Sequence, residues 1–323
     1  MRASHDNNEI IYDLDLDKIK PGTIEKYHLH IISDGLGNPI YVPLIIAKGI
    51  EQGPVFGLTA AIHGNELNGI LVIHNIIKKI NPMRLKGTII GVPVSNVTGF
   101  IRRKRKFNDE IDLNKIMPGN PRGNRSEIYA YRFFSKIIKH MNYLIDLHTA
   151  SSGRVNSFYV RANMKDHVTR RMALLQNAEI ILHNIGSKGT LRRSATDEKI
   201  KCITVELGNP HRFQKNMVIS SVNGILNTFI HLRMIEGDII PPAQKPVICK
   251  KSYWLYTTDG GVLQVYLGLA EKVKKGEEIA KVKNIFGDII ETYFSPEDGI
   301  IIGKSIDPVN QTGSRILHLG ILK

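Results

Sequence analysis

The sequence predicts an α/β fold in which a mixed sheet is flanked by helices and is followed by a small all-β domain. From residue 54 to about residue 240, apolar runs of strand length alternate with segments whose apolar residues recur at helical spacing, as in a mainly parallel or mixed sheet covered by helices. After the stiff segment 241–246, short apolar runs recur about every ten residues between turn residues, which is typical of an all-β module. We therefore predict one domain over residues 1–240 and a second over residues 247–323.

The first domain is predicted to begin with a β-hairpin and to continue into the main sheet. Residues 24–46 alternate loosely between apolar and polar side chains on both sides of the turn-forming segment 34–39, which is a hairpin pattern. Five later apolar runs predict buried strands at Val55–Ile62, Thr88–Val94, Tyr143–Leu147, Ser157–Val160 and Cys202–Leu207.

Four helices are predicted between and after these strands. A broad apolar stripe from Leu67 to Ile80 fits the first helix, and Ser126 is a suitable N-cap for a second helix that carries apolar residues as far as Ile138. Two more helices are predicted over residues 166–177 and 218–234.

The second domain is predicted to contain at least five short strands. The apolar runs between its Gly, Asp, Asn and Pro residues lie at Tyr253–Tyr256, Gly261–Tyr266, Glu278–Val282, Asp288–Tyr293 and Gly299–Ile302. This rhythm indicates a small barrel or sandwich.

Composition restricts the classes of function. The 323 residues include 44 Lys and Arg against 30 Asp and Glu, a formal net charge of +14, and a basic surface can serve nucleic acids, acidic partners or anionic substrates. The densest basic run, residues 102–106, is accompanied by no zinc-finger, homeodomain or RNA-binding sheet motif. The sequence therefore does not favour nucleic-acid binding as the main function.

Targeting and redox features indicate an ordinary cytoplasmic protein. No apolar stretch reaches the roughly 18 residues that a membrane helix needs, and Met1–Ile11 has no apolar core of a signal peptide. We expect a cytoplasmic location and no membrane partner. Cys202 and Cys249 fit no ligand spacing and are expected to be reduced thiols.

A histidine and a glutamate follow the first buried strand of the main sheet, three residues apart. His63 and Glu66 stand in His63-Gly64-Asn65-Glu66, where a single turn between strand and helix points both side chains the same way. Imidazole nitrogen and carboxylate oxygen are normal zinc ligands, and a catalytic zinc usually takes three protein ligands and a water. The pattern therefore predicts part of a zinc site.

The third ligand and a general base are predicted at the ends of two later strands. His148 ends the apolar run that begins at Tyr143, and Glu206 stands near the end of the run Cys202–Leu207. Functional groups in α/β sheets gather at the carboxyl ends of strands, and a carboxylate within an apolar run is rare unless it is paired or functional. We therefore predict His148 as a zinc ligand and Glu206 as the base.

These motifs resemble the succinylglutamate desuccinylase/aspartoacylase family, a branch of the zinc carboxypeptidase superfamily. The resemblance covers most of the chain, and it implies a zinc-carboxypeptidase-like mixed sheet followed by a lipoyl-like β-domain without the lysine motif that carries lipoyl or biotin. The matching segments outside the four residues above are Asn96–Phe100, Arg105, Asp109–Gly119, Gly153–Asn156, Val273–Glu277, Phe286–Asp288 and Ser295–Gly299.

The resemblance also implies a role for each site residue. His63, Glu66 and His148 would bind one Zn²⁺ per chain, and Glu206 would act as general base and then as acid. Arg105 would polarise the scissile carbonyl and stabilise its oxyanion. The roles implied for the remaining residues are contact with the substrate's carboxylate for Asn114 and Lys115, orientation of a zinc-bound histidine for Asp112, and anion contact for Arg154, for which a plain surface arginine is the alternative.

One position departs from the family pattern. The family has Asp-Leu-Asn-Arg where this chain has Asp112-Leu113-Asn114-Lys115. Lysine keeps the positive charge but lacks the planar fork that matches a carboxylate. We therefore expect looser anion recognition at position 115, or a different substrate.

The predicted function is hydrolysis of an amide bond in a small N-acyl amino acid or related N-acyl amine, so that the expected partner is a small anionic N-acyl substrate. One alternative is a metallocarboxypeptidase that acts on peptides through the same chemistry. A second alternative is a non-enzymatic protein that binds anions or nucleic acid. A homo-oligomer is compatible with the sequence.

Overall fold

The computed structural model describes residues 9–322, in which a ten-stranded mixed sheet carries helices on both faces and is joined to two smaller antiparallel sheets. This arrangement confirms the predicted fold class. The outermost ends of the two predicted domains, and most of the segment in which no signal peptide is predicted, lie outside the described residues. None of the helices in the described part is long and apolar enough to cross a membrane.

All four predicted helices are present, and the structure adds two short ones. The α-helices are α1 Asn68–Lys79, α2 Val97–Ile101, α3 Arg125–Lys136, α4 His167–Leu175, α5 Leu191–Asp197 and α6 Lys215–His231. Short 3-10 helices span Leu16–Lys18, Pro82–Arg84, Leu113–Lys115 and Ile138–His140. The two helices that the sequence pattern did not predict, α2 and α5, are too short to show helical periodicity.

The strands of the first domain include all those predicted. They are β1 Glu9–Ile11, β2 Thr23–Ser33, β3 Pro39–Lys48, β4 Glu51–Ala60, β5 Lys86–Val92, β6 Tyr143–His148, β7 Arg154–Asn156, β8 Phe158–Ala162, β9 Ile180–His183 and β10 Lys201–Leu207. β2 and β3 form the predicted hairpin.

The remaining strands follow the proline-rich segment. They are β11 Val247–Cys249, β12 Lys251–Tyr256, β13 Gly261–Val265, β14 Lys272–Val273, β15 Glu278–Lys283, β16 Ile289–Phe294, β17 Gly299–Ser305, β18 Val309–Asn310 and β19 Arg315–Ile321. β11 pairs with β9 at the edge of the large sheet, so the chain enters the β-domain only after Cys249.

In the large sheet, four parallel central strands have their carboxyl ends side by side. Its order is β1-β2-β3-β5-β4-β6-β10-β8-β9-β11, and the central strands β5, β4, β6 and β10 run parallel. One face is covered by α1, α4 and α6, and the other is covered by α3 and α5. Because both faces are buried, the central strands are continuous apolar runs, and polar side chains at their carboxyl ends stand out.

The β-domain is joined to the large sheet by strand pairing and by a small apolar cluster. β7 leaves the first domain and pairs with β17 of the β-domain. Next to it, apolar residues of both domains pack together: Tyr159, Ile180, Leu182, Cys249, Ile300 and Ile302 are all buried. The side chains of the β-domain that face the large sheet are therefore held in place against it.

The predicted N-cap of α3 is wrong by two residues. Asn124 caps this helix, because its side chain accepts a hydrogen bond from the Glu127 amide while the Glu127 side chain accepts one from the Asn124 amide. This reciprocal arrangement satisfies two free amides at once. Ser126 lies inside the first turn, where its hydroxyl donates to Asp109.

Candidate active site

The turn that carries His63 and Glu66 is shaped by close packing. β4 ends at Ala60, and Ala61 adopts a left-handed conformation with φ of 49°, which costs a non-glycine residue about 1 kcal/mol or more. The amide of Glu66 then donates to the carbonyl of His63 at 3.0 Å. Gly64 packs so closely on the next segment that a Cβ atom there would lie 2.0 Å from the carbonyl carbon of Gly99. The turn precedes α1, and it points the side chains of His63 and Glu66 towards the cavity at the carboxyl ends of the central strands.

His148 and Glu206 are neighbours at the carboxyl ends of two central strands. His148 is the last residue of β6, and the parallel pairing of β6 with β10 places Glu206 directly beside it. Strand register thus brings together two residues that are 58 positions apart in the chain. Both side chains are largely buried, as predicted for groups at the carboxyl ends of buried strands.

The three predicted metal ligands converge. Ligand atoms of His63, Glu66 and His148 all lie within 4.8 Å of one another. The two Nδ1 atoms face the carboxylate, at 2.9 Å from Oε1 for His63 and 3.0 Å from Oε2 for His148. The buried Nδ1 of His63 nevertheless makes no hydrogen bond within residues 9–322, because its short contact with Glu66 does not have hydrogen-bond geometry. Two imidazole nitrogens and a carboxylate suit Zn²⁺, so these residues fit a metal ion, and the orphaned nitrogen is the atom that such an ion would satisfy.

Each histidine is held from behind by an aspartate. Nε2 of His63 lies 3.0 Å from Oδ1 of Asp112, and Nε2 of His148 lies 2.7 Å from Oδ2 of Asp146. A carboxylate on the far nitrogen fixes the tautomer and orients the ring of a metal-binding histidine. Asp112 was predicted to orient a metal-binding histidine in this way. Asp146 was missed, although its spacing of two residues from His148 puts both side chains on one face of the strand.

The charges of this cluster shift the pKa values of its members. Burial alone would raise the pKa of Glu66, but the charge of His63 and the hydrogen bond and charge of His148 hold it well below its usual range. The same holds for Asp112, where the hydrogen bond and charge of His63 and the charge of Arg105 outweigh burial. Burial would lower the pKa of His148, but the charge and hydrogen bond of Asp146 raise it well above 6.5. Because their pKa values are lowered, Glu66 and Asp112 are ionised at neutral pH.

Arg105 is the one member of the basic run 102–106 whose side chain is partly buried, and it reaches the metal-ligand cluster. Its Nη1 donates to Oε1 of Glu66 and to Oγ of Ser151, both at 2.7 Å, and its Nε and Nη2 lie within 3.2 Å of Asp112. By contrast, Arg102 is exposed and pairs with Glu110. The predicted oxyanion donor is thus next to the predicted metal site.

Glu206 is held by two side chains, those of Asn156 and Arg161, for which the sequence predicted no role. Oε2 of Glu206 accepts a hydrogen bond from Asn156 at 3.2 Å, and Oε1 lies 3.3 Å from Nε of Arg161. Arg161 also donates to the hydroxyl of Tyr159. The antiparallel pairing of β8 with β10 brings these side chains together. Nothing in the sequence around residue 161 indicates this pairing, since only the strand register decides it.

Asn114 and Lys115 reach the same cavity from a different loop. Oδ1 of Asn114 accepts the amide of Leu191 at 2.7 Å and so fixes the start of α5. Lys115 is exposed and has no salt bridge within the described part of the chain. Gly189, at φ of 85°, lies so close to the Lys115 carbonyl that a Cβ atom would come within 2.0 Å of its oxygen. The loop before α5 therefore packs tightly on the segment that carries both residues.

All nine predicted site residues line one cavity of about 610 Å³. Six cationic side chains and three carboxylates, those of Glu66, Asp112 and Glu206, face it. The cations are Arg105, Lys115, Arg154, Arg161, Lys188 and Arg192. Arg105 and Arg161 pair with these carboxylates, and the other four have no carboxylate within salt-bridge distance among residues 9–322. The cavity is therefore strongly electropositive.

Arg192 is the least exposed of these cations and was not predicted. Its guanidinium is held by the hydroxyl of Thr204 and by the carbonyl and side-chain oxygens of Asn184. Burial lowers its pKa to about 10, so it remains charged at neutral pH. Burying a guanidinium without a carboxylate is costly unless a ligand completes the pairing.

The β-domain supplies part of the cavity wall. Trp254 of β12 and His318 of β19 line it and stack on each other, with ring centroids 5.1 Å apart and planes 11° apart. The guanidinium of Arg154 lies 5.5 Å from the Trp254 ring centroid. Burial, followed by the charges of Arg161, Arg154 and Arg315, lowers the pKa of His318 well below 6.5, so this ring is neutral. Sequence reasoning missed both aromatic residues, because they follow the domain linker and carry no motif.

Comparison with known sequences shows relatives that remove acyl groups. A family model for the succinylglutamate desuccinylase/aspartoacylase catalytic domain matches residues 52–232. The N-alpha-acetyl-L-2,4-diaminobutyric acid deacetylase of Halomonas elongata is 22% identical over 82% of this chain and 81% of its own length. A succinylglutamate desuccinylase of Pseudomonas aeruginosa is 28% identical over 61% of this chain and 62% of its own length.

Comparison with solved structures shows the same fold over both domains. A succinylglutamate desuccinylase/aspartoacylase from Rhodobacter sphaeroides superposes with a TM-score of 0.87 at 20% identity, covering 98% of this chain and 99% of its own. The product-bound ectoine utilization protein EutE (DoeB) from Ruegeria pomeroyi gives 0.84 at 19% identity, covering 94% and 98% of the two chains. Since the family model matches more than half of its length, the chain belongs to the succinylglutamate desuccinylase/aspartoacylase family.

Proposed function

We propose that this protein is a zinc-dependent deacylase that hydrolyses the amide bond of a small, anionic N-acyl amino acid. The observation that carries the proposal is the convergence of His63, Glu66 and His148, with the unpartnered Nδ1 of His63, on the cavity that also holds Arg105 and Glu206. Its relatives with known names act on N-acyl amino acids, which supports the same class of reaction here.

Three groups would hold the metal: Nδ1 of His63, Nδ1 of His148 and the carboxylate of Glu66. A zinc ion bound there supplies Lewis acidity for the scissile carbonyl and lowers the pKa of its water towards about 7. Asp112 and Asp146 keep the two imidazole rings oriented, which a metal site requires for tight binding.

Proton transfer falls to Glu206. Its carboxylate takes a proton from the water as the water oxygen bonds to the acyl carbon, and it then gives that proton to the leaving amine nitrogen as the C–N bond breaks. Asn156 and Arg161 fix the carboxylate during both transfers. The guanidinium of Arg105 donates to the acyl oxygen as negative charge develops, a contribution of about 3 to 4 kcal/mol for one such donor. The products are a carboxylate and a free amine.

Substrate recognition rests on the unpaired cations of the cavity. We propose that Arg192 binds the carboxylate of the amino acid, because its buried guanidinium has no carboxylate partner within residues 9–322. Asn114 and Lys115 would contact the same carboxylate from the adjacent loop, which packs on the start of α5. A wall supplied by the β-domain favours a small substrate over a long peptide.

Two alternative functions and two further predictions stand beside this proposal. The carboxypeptidase alternative uses the same chemistry and differs in substrate length. The non-enzymatic alternative is less favoured, because Arg105 of the basic run pairs with Glu66 and Asp112 in the cavity and Arg102 pairs with Glu110. The cytoplasmic location and the homo-oligomer stay predictions.

The test combines metal analysis with a substrate panel. We expect the purified protein to contain about one zinc per chain and to hydrolyse N-acetyl or N-succinyl amino acids faster than short peptides. Glu206→Gln should keep its zinc and lose activity by about 10²- to 10⁴-fold, whereas Glu236→Gln, at an exposed position, should match the wild type. Full activity of Glu206→Gln, or a preference for peptides, would overturn the proposal.

A further inference from the structure

A row of polar side chains crosses four strands of the large sheet directly behind the metal ligand and the base. Its members are register partners on β4, β6, β10 and β8 and are, in this order, Thr59, Asp146, Thr204 and Arg161. His148 and Glu206 stand two residues further along β6 and β10. Since residues two apart in a strand point to the same face, these four residues form a supporting row beneath His148 and Glu206.

Three members of the supporting row each hold one group that lines the cavity. The pairs are Asp146 with His148, Arg161 with Glu206, and Thr204 with Arg192. The fourth member, Thr59, does not line the cavity. Its hydroxyl donates to Oδ1 of Asp146 at 2.8 Å, so its connection to the site is indirect. Any influence of Thr59 on the site therefore passes through Asp146.

The carboxylate of Asp146 is held by one group on each oxygen. Oδ2 faces Nε2 of His148 at 2.7 Å, and Oδ1 accepts the hydroxyl of Thr59. Within residues 9–322, no third group bonds to this carboxylate. Thr59 and Asp146 are 0% and 1% exposed, so water cannot replace the hydroxyl, and a buried acceptor without a donor is costly. The Thr59 hydroxyl therefore fixes the rotation of the carboxylate that aims Oδ2 at the imidazole ring.

We propose that Thr59 is a positioning residue of the metal site: its hydroxyl fixes Asp146, and Asp146 in turn fixes the ring of His148. The inference rests on the metal ligands of the proposed function and extends their support by one residue. A carboxylate behind a metal-binding histidine sets the orientation of the ring, so a donor that orients this carboxylate acts on the metal through two successive hydrogen bonds. Threonine is also common in strands for its branched shape alone, and the two roles can be separated.

Two substitutions at position 59 distinguish the hydroxyl from the shape of the side chain. Thr59→Val keeps the branched shape and removes the hydroxyl, whereas Thr59→Ser keeps the hydroxyl and removes the methyl group. We expect Thr59→Val to weaken zinc binding about three- to tenfold and Thr59→Ser to stay within about twofold of the wild type, as measured by competition with a chromogenic chelator. Thr88→Val is the matched control, because Thr88 is also buried, lies in the neighbouring strand β5 and does not line the cavity. It should bind zinc as the wild type does.

A proton resonance tests the same chain of hydrogen bonds without any metal. The proton between Nε2 of His148 and Oδ2 of Asp146 lies in a short, buried contact with a carboxylate, so it should give a far-downfield signal in the NMR spectrum of the metal-free protein. Asp146→Asn identifies this signal, because the variant lacks the carboxylate and should lose it. Thr59→Val should shift the signal, whereas Thr59→Ser and Thr88→Val should leave it in place.

The outcomes separate this inference from the proposed function. If Thr59→Val binds zinc as tightly as the wild type and leaves the resonance unmoved, Thr59 has no positioning role and the zinc site stands. Zinc binding that weakens in Thr59→Ser as much as in Thr59→Val, or more, would also overturn the inference, because the shape of the side chain would then matter and not its hydroxyl. If the wild type binds no zinc but the resonance moves in Thr59→Val alone, the zinc-dependent function fails and the hold of Thr59 on Asp146 and His148 stands.

Discussion

Oδ2 of Asp146 lies 2.7 Å from Nε2 of His148, while Nδ1 of the same ring lies 3.0 Å from Oε2 of Glu66. His63 repeats this arrangement with Asp112 behind it and Glu66 in front. Each imidazole is thus held by an aspartate at Nε2, and its Nδ1 faces the carboxylate of Glu66. Such an arrangement is expected of a metal centre that is organised before the ion arrives.

Replacing Asp146 should weaken metal binding more than it weakens the fold. In Asp146→Asn the carboxylate behind His148 becomes an amide of similar size, and we expect zinc affinity to fall by about 10- to 100-fold. Competition with a chromogenic chelator measures this, with Asp238→Asn as the control because Asp238 is exposed. Equal affinity in the two variants would contradict a positioning role for Asp146.

Metal binding should release protons. The pKa of His148 is raised well above 6.5, because the charge and hydrogen bond of Asp146 outweigh burial. Between pH 6.5 and this raised value, the ring of the metal-free protein is protonated, and Nδ1 must lose its proton to bind a metal. Zinc affinity should therefore rise with pH across the neutral range. Calorimetry in two buffers of different ionisation enthalpy counts the protons, and an affinity independent of pH between 6 and 8 would speak against the ligand assignment.

The turn between His63 and Glu66 should not tolerate a side chain at Gly64. A Cβ atom there would lie 2.0 Å from backbone of Gly99, whereas at Gly35, in the hairpin turn, it would meet nothing within 4 Å. We expect Gly64→Ala to lower the free energy of unfolding by about 1–3 kcal/mol and to weaken zinc binding. Gly35→Ala should change stability by less than about 0.5 kcal/mol. Denaturant melts of both variants check the pair, and similar midpoints would refute the packing argument.

Restoring the family's arginine at position 115 should tighten substrate binding. Lys115 is exposed at the cavity without a salt bridge in the described region, and a planar guanidinium could pair with a carboxylate through two hydrogen bonds. For Lys115→Arg we expect KM to fall by about three- to tenfold, roughly 1 kcal/mol of binding, with kcat little changed. Steady-state kinetics measure this beside Lys274→Arg, an exposed position in the β-domain. An unchanged KM would show that residue 115 does not contact the substrate.

The sequence was most informative where local pattern and burial agree. The central strands were predicted because both of their faces are buried and their residues form continuous apolar runs. Short strands such as β7 and β9 were missed, since three or four residues carry too little pattern. β19 was missed for another reason: it lies between β12 and β17 with nearly every side chain buried, so it does not alternate.

The sequence by itself determined the family, the fold class and the residues that stand next to each other in short motifs, such as His63 with Glu66. Only the tertiary structure decided which distant side chains complete the site. Arg161 reaches Glu206 through the register of β8 with β10, and Trp254 enters the cavity because β7 joins the sheet of the β-domain. These contacts depend on how strands pair and domains dock, and a linear pattern records spacing along the chain but not neighbours across a sheet.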